Sequence, residues 1–293
     1  MATRKLSFSQ REGHQPIPEQ YQLEELPREF RHEVELCLIK ALEISPKTLF
    51  TKGMNKSVVD WEEIMRDMWV QFRNQSPATY LIGRGHENLI NIIRSSVFHE
   101  VLDLIEELAN RTAKDYSQFC QSLCEVFEHR NVAYRLIGSA SIGFTIVPTT
   151  NKLEVQAVTG AFDLLSINAP QFDNVLKHIT SAGQLLREGE YGKSISESSS
   201  AIEAALRILT QQDKDIYEVS KEYATRVGMH KIMRDRIEKI HHFASDISGG
   251  RHSRKQEGYT ADRADAQEIF TASCSTIQYL INKQKLYGSR EKY

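Results

Sequence analysis

The chain has 293 residues, of which 40% are apolar and 26% are charged, and its net charge at pH 7 is −2. This length and composition are typical of a soluble globular protein with two domains, each large enough to bury its own core. They argue against a membrane protein, because no apolar run approaches the ~20 residues that a span needs, and against nucleic-acid binding over the whole surface. Four scattered cysteines and an N-terminus without an apolar leader favour the reducing cytoplasm.

The first part of the chain, residues 1–168, has the pattern of a helical domain that contains one hairpin. Apolar side chains recur at helical spacing in five stretches, which are residues 26–41, 57–72, 86–109, 113–130 and 153–165. Residues 133–147 are instead rich in β-forming side chains on either side of Gly138-Ser-Ala140. This change of period predicts a β-hairpin at about 133–147.

The second part, residues 169–293, has the pattern of a helix bundle. Helical periodicity covers residues 172–186, 195–209, 216–226, 229–243 and 264–281. The break at Gly189-Glu-Tyr-Gly192 is so short that the helices on either side of it are predicted to be antiparallel neighbours. The whole chain is therefore predicted to be mainly α, with a domain boundary near Asn168-Ala-Pro170.

Two short runs are better explained by packing than by chemistry. Cys120 and Cys124 are four residues apart, the spacing of two metal ligands on one helix face, but no Cys or His pair follows at a zinc-site spacing. We interpret them as buried thiols. The serine run Ser194–Ser200 lacks the Gly-x-Ser-x-Gly pattern of a nucleophile elbow. We interpret it as small side chains that let two helices approach closely.

The most informative stretch is Phe243–His252, Phe-Ala-Ser-Asp-Ile-Ser-Gly-Gly-Arg-His. It lies within residues 230–255, which hold seven Lys or Arg, three Asp or Glu and four of the ten histidines. The guanidinium of Arg251 has a fork of donors that suits phosphate, and His252 can exchange a proton near neutral pH. Together they have the chemistry to cleave an RNA phosphodiester without a metal. The alternative is a tight turn of exposed polar residues, or an Arg251 that anchors the last helix.

Seven segments are similar to those of a known group of proteins. In the second half they are Glu188–Ile195, Glu197–Glu203, Phe243–His252 and Cys274–Ile281, and in the first half Phe8–Gly13, Leu26–Arg31 and Tyr134–Ile146. The second half resembles a HEPN-type domain, the C-terminal helical domain of abortive-infection AbiJ-like proteins. The first half resembles the AbiJ-type N-terminal domain. The two resemblances together cover most of the chain.

The resemblance implies prokaryotic defence against phage, often by RNA degradation. It also implies a homodimer in which each protomer contributes an Arg-x(4–6)-His motif. Arg251 and His252 are adjacent in this chain, whereas four residues separate Arg236 from His241. Both pairs are therefore candidates. The alternative for His241 and His242 is a position at a helix end, where a cation interacts favourably with the helix dipole.

These observations predict a metal-independent RNA endonuclease without a cofactor. A histidine would accept the proton of the ribose 2′-hydroxyl and Arg251 would stabilise the charged phosphorane, while Asp246 would orient the histidine and Glu203 would reach the site from the second bundle helix. We expect a homodimer through the C-terminal bundle, because helix 194–205 is rich in small residues. The alternative is a non-catalytic sensor or adaptor that holds RNA, a nucleotide or a protein partner, with a first domain that responds to a trigger.

Overall fold

The computed structural model describes residues 23–44, 61–73, 85–149 except positions 115 and 131, 151–247 and 259–290. Within these ranges the protein consists of eleven α-helices and one two-stranded antiparallel hairpin, which confirms the predicted mainly α fold. The chain divides into two compact units, residues 1–151 and residues 152–293. None of the helices in the described ranges combines the length and the apolar character that crossing a membrane would require.

The first unit contains five of these helices and the hairpin. In chain order its elements are α1 (Arg28–Ile44), α2 (Trp61–Arg73), α3 (Gly85–Ser95), α4 (Phe98–Thr112), α5 (Ser117–His129), β1 (Tyr134–Ser139) and β2 (Gly143–Pro148). Its core is made of large apolar side chains. The rings of Phe30 and Phe127 meet edge to face at 4.9 Å and join α1 to α5, and Trp61 meets Phe119 at 5.7 Å and joins α2 to α5.

The hairpin forms where the change of period predicted it. Tyr134 pairs with Pro148 at one end of the ladder, and Ser139 pairs with Gly143 at the turn. Gly138 has a φ of +136°, and a Cβ atom at this position would lie 2.1 Å from the carbonyl oxygen of Gly143. Only glycine satisfies both requirements, so Gly138 is what permits the chain to reverse here.

The prediction of one helix over 86–109 is wrong, because the structure has two helices there. Val97, between α3 and α4, is extended with φ −62° and ψ 158°. Nη1 of Arg31, on α1, donates hydrogen bonds to the carbonyl oxygens of Ile93 at 2.7 Å and Ser96 at 2.9 Å. The guanidinium therefore satisfies carbonyl groups at the end of α3 that a continuing helix would have bonded itself. Apolar spacing continues across the break and gave no sign of it.

The second unit is a bundle of six helices in the described part of the chain. They are α6 (Lys152–Ile167), α7 (Asp173–Arg187), α8 (Tyr191–Thr210), α9 (Ile216–Val227), α10 (Lys231–Ile247) and α11 (Arg263–Arg290). Helix α8 packs against α7, α9, α10 and α11, so it is the central helix of the bundle. Asp215 begins α9 as its N-cap, and its side chain accepts hydrogen bonds from the backbone N–H groups of Tyr217 and Glu218.

Helix α6 packs within the second unit, although the predicted boundary after residue 168 assigned its residues to the first domain. Nε2 of Gln278, on α11, donates to the carbonyl oxygen of Ala157 at 2.6 Å. Nε2 of Gln267 donates to Oε2 of Glu154 at 3.2 Å. These contacts join α6 to α11, more than a hundred residues further along the chain, which is why the compact units divide before α6 instead of after it.

The serine-rich face of α8 lies inside the bundle, as the small side chains predicted. Ser194, Ser198, Ala201 and Ala205 are fully buried, and the hydroxyl of Ser194 donates to the carbonyl oxygen of Ala182 on α7 at 2.8 Å. The small residues of helix 194–205 therefore allow its neighbours within the same chain to approach. This face is not available to a second protomer, so the predicted homodimer needs another surface.

Candidate functional site

The candidate site surrounds the C-terminal end of α10. Arg251 and His252 lie outside the described residues, in the segment 248–258 that follows this helix. The other predicted site residues are described. Arg236, His241 and Asp246 are on α10, and Glu203 is on α8.

Helix α10 is held against α8 along its buried stripe of Ile237, Ile240 and Ala244. The two helices run antiparallel. Near the end of α10 a Cβ on Gly192 would lie 3.4 Å from Cγ2 of Ile247. His241 is six residues before Ile247 on α10, and it meets Ser199, which is seven residues after Gly192 on α8. This packing fixes which residues of α10 face the bundle and which face solvent.

His241 is half-buried between α8 and α9. Its Nδ1 lies 3.2 Å from the hydroxyl oxygen of Ser199, within hydrogen-bonding distance, and the ring of Tyr217 stands perpendicular to the imidazole at 5.8 Å. Ser199 is itself buried, so it can fix the orientation of the ring. Nε2 has no hydrogen-bond partner among the described residues.

Arg236 and His241 do not meet within one chain. They are five residues apart on α10, so their side chains point about 140° away from each other. Arg236 is exposed and lines a groove of about 430 Å³ between α10 and α11, beside Lys239 and Glu268. His241 contacts α8 and α9 instead. The motif spacing is therefore present in sequence, but its two groups can converge only if another molecule supplies one of them.

Asp246 pairs with His242, a residue that sequence reasoning did not select as catalytic. Nδ1 of His242 lies 3.2 Å from Oδ2 of Asp246, and the two side chains are 59% and 41% exposed. The predicted helix ended at Phe243, but α10 continues to Ile247, and this extra turn puts Asp246 one turn from His242. The four-residue spacing of His242 and Asp246 could have predicted this pair from the sequence, since residues four apart on a helix are neighbours. It was missed because Asp246 was placed beyond the predicted end of the helix.

Glu203 lies away from this pair. Its carboxylate forms an ion pair with Arg207 at 2.7 Å, and Arg207 also contacts Asp213 at 3.3 Å. Because α8 and α10 are antiparallel, Glu203 lies one turn from Ser199 in the direction of the start of α10. The structure therefore does not bring Glu203 to Asp246, and its carboxylate is already paired at the far end of α8.

The described residues contain no group of three or more His, Cys, Asp or Glu side chains that could hold a metal ion. Cys120 and Cys124 have the structural role that the sequence indicated. The thiol of Cys120 donates to the carbonyl oxygen of Ala109 at 3.4 Å, and that of Cys124 donates to Leu136 at 3.6 Å. Burial raises the pKa of Cys124 to about 12, so this sulfur stays protonated and is a poor ligand or nucleophile at neutral pH.

Fold and site together define a mainly helical protein of two units, whose second unit has a helix with His241, His242 and Asp246 near its C-terminal end. Residues 6–164 match the family AbiJ N-terminal domain 4, over more than half of the chain. The chain belongs to this family, which confirms the resemblance of the first half and suggests a part in abortive-infection defence. Searches of curated proteins and of solved structures found no significant match.

Proposed function

We propose that this protein is an abortive-infection effector that cleaves RNA without a metal, at a site around the C-terminal end of α10. The observation that supports this most is the exposed pair of His242 and Asp246. Arg251 and His252 follow Asp246 closely along the chain, in a stretch where basic residues outnumber acidic ones. The pair offers an oriented imidazole to solvent, and the following segment offers a phosphate-binding guanidinium and a second imidazole.

In the proposed reaction, His242 is the general base. With its proton on Nδ1 the ring donates a hydrogen bond to Asp246, which leaves the lone pair of Nε2 to accept the proton of a ribose 2′-hydroxyl. The 2′-oxygen then bonds to the adjacent phosphorus, and the bond from phosphorus to the 5′-oxygen breaks. Arg251 stabilises the phosphorane oxygens, and His252 protonates the leaving 5′-oxygen. The products are a 2′,3′-cyclic phosphate and a 5′-hydroxyl.

We assign the proposed homodimer of this HEPN-like unit to the groove between α10 and α11. Ile232 at this groove is 68% exposed, and the lining has charges of both signs, from Arg236 and Lys239 and from Asp235 and Glu268. A two-fold interface must be self-complementary, and a patch with both signs around apolar residues meets that condition. Sedimentation at tens of micromolar should detect the dimer, and Ile232→Glu should make it monomeric.

Cleavage of a labelled RNA in the presence of EDTA tests the activity. His242→Ala and His252→Ala should each lower the rate by about a hundredfold or more, since a general acid or base contributes at least that much. Arg251→Lys should also be damaging, because lysine keeps the charge but loses the planar fork. His129→Ala is the matched control, because His129 is an exposed histidine in the first unit and should leave the rate unchanged.

The pattern of variants distinguishes the candidate histidines. If His241→Ala abolishes cleavage while His242→Ala and His252→Ala do not, the site lies instead on the side of α10 that contacts Ser199 and Tyr217. If all three histidine variants cleave as fast as the unchanged protein, the nuclease proposal fails at these residues.

The second candidate is a sensor or adaptor that holds RNA or a protein partner without cleaving it. The observation that favours it is the separation of Arg236 from His241 on different sides of α10. A protein of this kind would bind labelled RNA, lose affinity when Arg236 and Lys239 are replaced by glutamine, and leave the RNA intact with or without EDTA.

A further inference from the structure

The first unit contains a groove of about 1090 Å³ between the first turns of α1 and the C-terminal end of α3. Its lining includes three arginines and two glutamates. We propose that this groove binds a small phosphorylated ligand of nucleotide size. The proposal concerns a site in the other unit and does not depend on the proposed nuclease activity.

Arg94 is held in the groove by a buried carboxylate. Glu35, on α1, is only 5% exposed, and Nε of Arg94 donates to its Oε2 at 2.9 Å while Nη2 donates to its Oε1. The hydrogen bonds and the charge of Glu35 raise the pKa of Arg94 above its usual value. One edge of the guanidinium is therefore fixed, and the side chain is still 60% exposed. The remaining N–H groups on the other edge are oriented donors for an anion.

Arg31 links the two walls of the same groove. Nε donates to the carbonyl oxygen of Leu26 at 3.3 Å, and Nη1 donates to Ile93 and Ser96 as described above. Burial lowers the pKa of Arg31 from its ordinary value, but the guanidinium still joins the two walls. The groove is thus held in one shape by contacts across about sixty residues of sequence, which limits the ordering that a ligand would have to impose.

The exposed side of α1 supplies further cationic groups for a phosphate. Arg28 and His32 are one turn apart on the same face, and Arg28 makes no ion pair within the described part of the chain. Arg28 and Arg94 together offer two guanidinium groups to one ligand, and such forks match the oxygens of a phosphate. Glu35 is neutralised by Arg94, so the groove still favours a negative ligand.

Glu29 and the size of the groove indicate that the ligand is larger than free phosphate. Glu29 is an exposed carboxylate beside Arg28, where it would repel a bare anion but could accept hydrogen bonds from sugar hydroxyls. The groove's volume of about 1090 Å³ slightly exceeds the usual range of about 300–1,000 Å³ for small-molecule sites, so it has room for a sugar and a base as well as a phosphate. A nucleoside monophosphate meets both requirements.

Calorimetric titration of the full chain with AMP, adenosine and inorganic phosphate tests the proposal. AMP should bind, adenosine should not bind measurably, and inorganic phosphate should bind more weakly than AMP. Arg28→Gln and Arg94→Lys should each weaken AMP binding about tenfold, the value expected for the loss of a charge-assisted hydrogen bond. Arg66→Gln, an exposed arginine of α2 outside the groove, should have no effect.

Arg28→Gln keeps the test valid even if Arg94→Lys disturbs Glu35, because Arg28 is exposed and its replacement leaves no buried charge without a partner. The proposal is overturned if AMP fails to bind at about 10 mM, a concentration well above ordinary nucleotide dissociation constants. It is also overturned if adenosine binds as tightly as AMP, or if Arg66→Gln weakens AMP as much as Arg28→Gln does. Equal affinity for AMP and inorganic phosphate would also overturn the proposal, because the groove would then not recognise a ligand of nucleotide size.

Discussion

Both units of this protein bury large apolar side chains, but the central helix of the second unit also buries a set of serines and alanines. In the first unit aromatic rings bridge the helices, as Phe30 and Phe127 do between α1 and α5. In the second unit the central helix α8 buries serine and alanine, including Ser198 and Ala205, so its neighbours can approach its backbone. Large side chains fill the space between helices, and small side chains let the helices come close enough to leave little space between them. Both arrangements give the dense packing of a protein interior.

The two units also hold their candidate functional groups in different ways. The arginines of the first unit lie at the margin of an apolar core, where Arg31 and Arg94 are fixed by carbonyl and carboxylate oxygens. The second unit fixes His241 through a buried serine of α8, and holds His242 only by an exposed carboxylate. Stability and chemistry are therefore more separable at the end of α10 than in the groove of the first unit.

The largest expected effect is the removal of a ring from the first core. Phe30→Ala should lower the free energy of unfolding by about 3–5 kcal/mol, because it deletes a fully buried side chain and leaves a cavity against Phe127. Leu36→Ala, on the same helix but 40% exposed, is the control and should cost less than about 1 kcal/mol. Urea unfolding monitored by circular dichroism measures both, and equal losses would contradict the role given to the aromatic pair.

An opposite change should disturb the second core. Ala205→Leu adds volume where helices are already in close contact, and we expect a loss of about 1–3 kcal/mol from overpacking. Ala204→Leu, at the next position and only half-buried, should cost less in the same urea experiment. If Ala205→Leu lowered the free energy of unfolding no more than Ala204→Leu does, the close approach of helices to α8 would not be what stabilises this bundle.

Alkaline pH should weaken the first unit through the half-buried thiol of Cys124. Burial raises the pKa of Cys124 from 9.0 to about 12, so the folded state retains this proton where the unfolded state has lost it. The resulting stability is complete below pH 9 and is lost as the pH rises toward 12. When the pH is raised from 8 to 10, the free energy of unfolding should fall by roughly 1 kcal/mol less in Cys124→Ala than in the unchanged protein. Parallel loss in both proteins, measured by urea unfolding, would show that this thiol is not the cause.

The smallest effect on stability is expected at the proposed catalytic pair. Asp246→Asn should change the free energy of unfolding by less than about 0.5 kcal/mol, since exposed pairs one turn apart on a helix contribute no more than that. RNA cleavage should nevertheless slow, because His242 loses the carboxylate that orients it. A variant that unfolds more easily but cleaves normally would mean that the pair is structural.

Local patterns were sufficient to predict much of the fold. Helical spacing located most of the helices, and the concentration of β-forming residues around Gly138 predicted the hairpin, because backbone preference and side-chain periodicity act over a few residues. The break between α3 and α4 could not be predicted in this way. It depends on Arg31, which lies more than sixty residues earlier in the chain.

The candidate site was likewise predicted in part from local patterns, and in part it was decided by contacts between distant residues. From the residue types around α10 the sequence predicts proton exchange and phosphate binding, and the proximity of His242 to Asp246 follows from the helix alone. Tertiary structure decided that His241 meets Ser199 across 42 residues, that Arg236 faces a different groove, and that the small residues of α8 are used inside the bundle. The chemical character of a side chain can be recognised in the sequence. Which of these side chains come together in a site depends on which distant helices pack against each other, and that packing is decided by the burial of apolar surface over the whole unit.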